Sequence, residues 1–174
     1  MKRWDARIAA GLGLAAAILL GEAWLFGDTA RSQGTTAASQ PAAWQSMETG
    51  TVIIENMAET DSAPDATRLT VRIADDASER AQGMQNLPPA VIRDHPIWFV
   101  FPEPRRTYWH MRDVRSALDI VYVDANGIVI GIDRMQPEQS GYASNAPISA
   151  ALEVAAGHAG RLGIRPGTRI RRAP

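Results

Sequence analysis

Two carboxylates stand inside apolar runs of this sequence: Asp119 in "LDIVYVD" and Glu153 in "AALEVA". A charge in such a run loses its solvation, which is costly unless a cation or hydrogen-bond donors offset it. Two chemistries fit. Asp119, Arg112 and Glu153 can form a buried structural network, with Arg115 as a further nearby cation. Alternatively, Asp119 and Glu153 can serve a hydrolase as acid and base, which requires both in one cleft with their pKa values pushed apart. A third group lies in "YWHMR". Strand alternation puts Tyr108, His110 and Arg112 on one face and Trp109 and Met111 on the other. The second pair reads as core. The first set reads either as a solvated sheet face or as a binding face for a small ligand or a protein partner, since aromatics and arginine are enriched at binding hot spots. Other chemistry finds little support. His95, His110 and His158 are scattered without metal-ligand spacing, so no metal is expected. Ser116, Ser144 and Ser149 lack the G-x-S-x-G context of an activated serine. No glycine cluster forms a phosphate loop and no cofactor is implied.

The elements that position these residues read mainly as β. In "RLTVRIA", Leu69, Val71 and Ile73 alternate with Thr70 and Arg72, the period of a half-buried strand. "DDASERAQG" reads as a short helix: Asp76 caps it, Glu79 completes a capping box and Gly83 ends it. "LPP" breaks the chain, and "IWFVF" is a strand between Pro96 and Pro102. Asn126-Gly127 predicts a hairpin with a type I′ turn between "LDIVYVD" and "GIVIGID". "AALEVA" and "TRIRR" are further strands, and residues 157–163 a weak helix or turn. Short strands with frequent turns predict a small antiparallel sandwich or barrel with one or two short helices.

The order of these pieces resembles a prokaryotic family, domain of unknown function 192, over about residues 68–172. The matching residues are Glu79, Arg80 and Gly83; Phe99 to Phe101; Trp109, Met111 and Arg112; Leu118 and Asp119; Leu152, Glu153 and Gly157; and Gly167. The resemblance implies a jelly-roll-like sandwich in an exported or membrane-associated protein and supplies no activity. The sequence departs from the pattern at "GMQNL", where the family's Gly-Leu-Met-x-Arg loses its arginine. It also carries Asp113, Ala117 and Thr168 where the pattern has Asn, Pro and an acidic residue.

The chain has 174 residues, 45% hydrophobic and 21% charged, with a net charge of -1. That balance gives no basic face for nucleic acid. Without cysteine, disulfides, thiolate metal sites and thiol nucleophiles are excluded. The N-terminus shows the order of a secretory signal: Lys2, Arg3 and Arg7, then an apolar stretch from Ile8 to Leu20. Gly21-Glu22-Ala23 offers a cleavage site. If uncleaved, residues 8–26 form a hydrophobic helix long enough to anchor the chain in the cytoplasmic membrane. The expected organisation is a signal or anchor over 1–26, a flexible tether with one short strand over 27–67, and a β-sandwich domain over 68–174. Either fate of the N-terminus places the domain in the periplasm or otherwise outside the cytoplasm, where an envelope protein or a small ligand would be its partner. A reporter that fluoresces only in the cytoplasm, fused after Pro174, should therefore stay dark in cells; bright emission would contradict export.

Overall fold

The computed structural model describes residues 39–56 and 65–174. The hydrophobic segment at 8–26 and much of the expected tether lie outside the described residues. Among the described residues, nine strands and four short helices follow one another as α1 (Ala42–Ser46), β1 (Glu48–Asn56), β2 (Asp65–Ala74), α2 (Ala77–Gln82), α3 (Pro89–Asp94), β3 (Ile97–Arg105), β4 (Tyr108–His110), β5 (Leu118–Val123), β6 (Val129–Met135), β7 (Ser140–Ala143), β8 (Ile148–Ala155), α4 (His158–Arg161) and β9 (Arg169–Arg172). Among the described residues, no helix is long and apolar enough to cross a membrane.

Seven strands form one sheet in the order β6-β5-β8-β3-β2-β1-β9, and β4 pairs with β7 as a separate ribbon. The sheet is mixed rather than antiparallel throughout, because β2 and β3 pair in parallel. Parallel neighbours need a crossover connection, and α2 and α3 supply it. The outer strands β6 and β9 meet beside a single isolated bridge, Ile128 to Arg169, so the barrel alternative is corrected: the sheet curls but does not close.

Alternation divides the core between the two faces of this sheet. Leu118, Ile120 and Tyr122 join one apolar cluster with Ile97, Phe99 and Met84, while Val121 and Val123 join a second with Trp98, Leu152 and Val154. β5 is buried at all of its positions.

Local chemistry explains most elements. The capping box of α2 forms as read: the Asp76 carboxylate accepts from the Glu79 amide, Glu79 reaches back, and Gly83 ends the helix at a φ of 46°. "LPP" starts a helix instead of only breaking the chain. Pro88 is the N-cap of α3 and Pro89 its first residue, a position where the missing amide hydrogen has no intrahelical partner to lose. β3 runs on through Pro102 and Pro104 because its register against β8 shifts between Val100 and Arg105, the kind of irregularity that accommodates proline. The β5–β6 hairpin forms, but its turn is not type I′. Gly127 has a φ of 77° while Asn126 has none above zero. The Asp124 carbonyl accepts from the Gly127 amide, and the Asp124 carboxylate accepts from the amides of Asn126 and Ile128. A type I turn followed by a left-handed glycine satisfies those donors.

The boundary placed at residue 68 is also corrected. The short strand anticipated in the tether is the nine-residue β1, an inner strand between β2 and β9. The described residues all fall in one compact unit. α1 is tied to it by the fully buried Trp44, by Arg72 lying 5.3 Å from that ring, and by the Ser46 hydroxyl donating to Glu79.

Asp119 holds three of these elements together. Its carboxylate accepts from the Arg134 guanidinium on β6 and from the amides of Gly157 and Ala159, at 2.7 and 3.3 Å, at the N-terminal end of α4. The partner is thus Arg134, directly across the β5–β6 ladder, and not Arg112 or Arg115. Both of those follow β4 in an exposed loop. Because the Arg134 side chain is half exposed, Asp119→Asn should cost about 2–3 kcal/mol, somewhat below the range for a fully buried pair. Arg134→Ala should cost at most about 1 kcal/mol. Urea melts of both variants check the pair. An Asp119→Asn variant that unfolds like the parent would show that the aspartate does not anchor the α4 turn.

Candidate functional site

On the face of the sheet that carries α2, a cleft of about 440 Å³ opens between the α2 C-terminus, β3 and β4. That lies within the usual size range of small-molecule pockets. Phe99, Phe101 and Trp109 form its aromatic wall. The Trp109 ring meets Phe99 edge-on at 4.9 Å and Phe101 at 6.5 Å, and its indole N–H donates to the Thr107 hydroxyl at 2.9 Å. Tyr108, 82% exposed, stands at the mouth.

Glu153 is the single acidic residue of the lining. It is only 6% exposed, and its cross-strand neighbours are Ile97 on β3 and Ile120 on β5. No hydrogen-bond donor reaches Oε2. Burial alone pushes the carboxyl up to about 8 from its usual 4.5, so near neutral pH it carries a proton and can both donate and accept. Gly83 lies beside the group on the cleft wall. A Cβ there would stand 3.8 Å from Oε2 and 3.7 Å from the Phe99 ring, and the left-handed backbone independently favours glycine. Nearby on the same face, the Tyr122 hydroxyl is engaged elsewhere: it donates to Asp133 at 3.0 Å. Burial, then that hydrogen bond, raises its pKa well above the usual phenol range.

Three arginines border the same cleft: Arg80, Arg105 and Arg106. Arg80 donates to the Asp75 and Val100 carbonyls at 2.5 and 3.0 Å and lies 6.0 Å from the centre of the Phe101 ring. The side chains of Arg105 and Arg106 make no hydrogen bond or ion pair among the described residues.

The anticipated site residues separate into three places. Tyr108 and His110 line the cleft, and so does half-buried Trp109, which also packs against the core. Arg112 does not reach it. It lies in a second depression with His110, Glu138, Gln139 and Ser140. The proposed network of Asp119, Arg112 and Glu153 does not form, and Asp119 and Glu153 cannot be an acid–base pair. Asp119 is paired across the ladder with Val154, the residue after Glu153; adjacent strand positions point to opposite faces, so the sheet separates the two carboxylates. Among the described residues, no group of three or more histidine and acidic side chains is arranged to hold a metal.

Arg80, the phenylalanine wall, Arg105 and Arg106 share the cleft with Glu153, a grouping that the sequence did not reveal. One available signal was a lone acid between Leu152 and Val154, with no cation in its strand. The altered "GMQNL" segment keeps Gly83, Met84 and Gln85 on the cleft wall, whereas Leu87 is fully buried in the core.

Over residues 58–172 the chain matches the model of domain of unknown function 192, described as an uncharacterized ACR. Its structure is similar to that of a Sinorhizobium meliloti 1021 protein described as a candidate transcription regulator. The two are 26% identical, with a TM-score of 0.64 and coverage of 72% of this chain and 95% of that one. A protein of unknown function from Novosphingobium aromaticivorans DSM 12444 shares the fold at 22% identity and a TM-score of 0.60, covering 76% of this chain and 98% of that one. No match was found among curated proteins. The motif residues Arg80, Gly83, Phe99, Phe101, Trp109 and Glu153, far apart in sequence, meet at one cleft, and a chain that carries them across a match of this extent belongs to the domain of unknown function 192 family.

Proposed function

We propose that this protein is an exported, envelope-associated binding module that takes a small ligand into the cleft above Glu153. The observation that carries the reading is the Glu153 carboxyl: buried, without a hydrogen-bond partner at Oε2, and part of the lining of a concave aromatic cavity. An unsatisfied buried polar group costs about 1–3 kcal/mol. A ligand that donates to or accepts from this group removes the deficit, so the site is better satisfied when occupied. Concavity favours a small molecule over a flat protein surface. The basic N-terminus followed by an apolar stretch supports export, with the module either released by cleavage or held at the membrane by residues 8–26. A hydrolase using Asp119 and Glu153 is not carried further, because the sheet lies between them.

Binding is tested by a fragment screen against the full chain, followed through the indole N–H resonance of Trp109. Bound fragments should move that resonance and leave the Asn126–Gly127 turn unchanged, and Glu153→Gln should alter the affinity of those that reach the floor. A screen in which no fragment perturbs Trp109 would remove the basis for a ligand site.

The raised pKa of Glu153 gives an independent prediction. The unfolded chain loses this proton near 4.5, whereas the folded chain keeps it up to about 8. The native state therefore binds more protons between those values. Its stabilising contribution is fully present below the lower one and is lost as pH rises through the upper one. Glu153→Gln should abolish this loss, so the variant should gain about 3–5 kcal/mol relative to the parent between about pH 4 and about pH 9. Urea denaturation across pH measures the difference; parallel profiles would mean that Glu153 ionises as an ordinary solvated carboxyl.

A further inference from the structure

Charge is distributed unevenly around the cleft. Its wall is aromatic, its rim carries three guanidinium groups, and its single acid lies on the floor. Arg80 is spent on two backbone carbonyls and the face of Phe101, contacts that fix its position without neutralising its charge. Arg105 and Arg106 are exposed and have no acidic partner among the described residues. Each retains planar donors suited to a carboxylate, sulfonate or phosphate. The Glu153 carboxyl does not balance these cations near neutral pH, because burial keeps it protonated. Tyr108 is the exposed large hydrophobic side chain among the described residues, and it stands at this mouth.

We infer that the cleft selects a flat aromatic ligand bearing a negatively charged group, with the ring against Phe101 and Trp109, the anion at Arg105 and Arg106, and a polar edge of the ring facing Glu153. The inference rests on the proposed function and narrows it to one ligand class. Each part of such a ligand meets a feature already in place: an aromatic wall for its faces, unpaired guanidinium donors for its anion, and an unsatisfied carboxyl for a donor or acceptor on its inner edge. A ligand with a net positive charge would meet the arginines unfavourably on its way in.

The test uses 2-naphthoate and its neutral twin 2-naphthamide, which share one ring system and differ in charge. Both are titrated calorimetrically into the full chain. Naphthoate should bind about fivefold or more tighter, and raising the ionic strength should weaken it more than the amide. In the Arg105→Ala/Arg106→Ala variant the ratio between the two should collapse to about twofold or less. Arg93→Ala, which removes a cation on α3 that is paired with Asp94 and does not line the cleft, should leave the ratio intact. If both compounds bind the parent equally while moving the Trp109 resonance, selection by charge is refuted and the cleft remains a ligand site. If neither binds while other fragments do, the aromatic class is refuted. If no compound of any kind moves Trp109, the proposed function fails with it.

Discussion

Strands β5 and β8 are buried on both faces of the sheet, and this double burial governs the rest of the molecule. An ionisable group in such a strand has no water to turn to, so it must find partners, lose its charge or be replaced. Asp119 and Glu153 are the two acids in these strands, and they meet the constraint in opposite ways. Asp119 faces the side where the β8–α4 turn presents two amide donors and β6 presents Arg134. Glu153 faces the side where its strand neighbours are isoleucines, and it keeps its proton. One carboxylate is a tie between elements; the other is an unfilled hydrogen-bonding position.

The cleft exists because the elements beside Glu153 stop short of covering it. α2 ends at Gly83, and the chain turns away with a left-handed residue instead of placing a side chain over Oε2. β3 breaks register beyond Val100 and reaches Arg105 and Arg106 on the far side of two prolines. The short β4 then returns Trp109 against Phe99 and Phe101. Aromatic packing fixes the wall, a helix cap fixes the floor and a bulged strand fixes the rim. Each device is local and common. Their convergence on one unsatisfied carboxyl makes the place suited to a ligand.

Much of this was legible in the sequence. The period-two runs determined that the chain is mainly β. Asp76, Glu79 and Gly83 determined a capped helix, because a capping box needs only residues three apart. The alternation through residues 108–111 separated Tyr108 and His110 from Met111 correctly, and the lone acids in "LDIVYVD" and "AALEVA" announced two unusual environments. These features depend on neighbours within a few positions, which the order of residues states directly.

Only the tertiary structure decided which distant residues share a face. The pairing of β5 with β8 put Asp119 opposite Val154, and that register alone separates it from Glu153. Arg134 became the partner of Asp119 through the hairpin ladder, although Arg112 and Arg115 are closer in sequence. β1, read as a strand within a tether, gained its place in the sheet from β2 and β9, the latter more than a hundred residues further along. The type of the Asp124–Gly127 turn was set by the Asp124 carboxylate accepting amides ahead of it, a choice that Asn-Gly alone does not fix. Composition and periodicity specify what each segment is and which side of it is apolar. Strand register and crossover specify what that side meets, because they arise from the burial of both sheet faces at once.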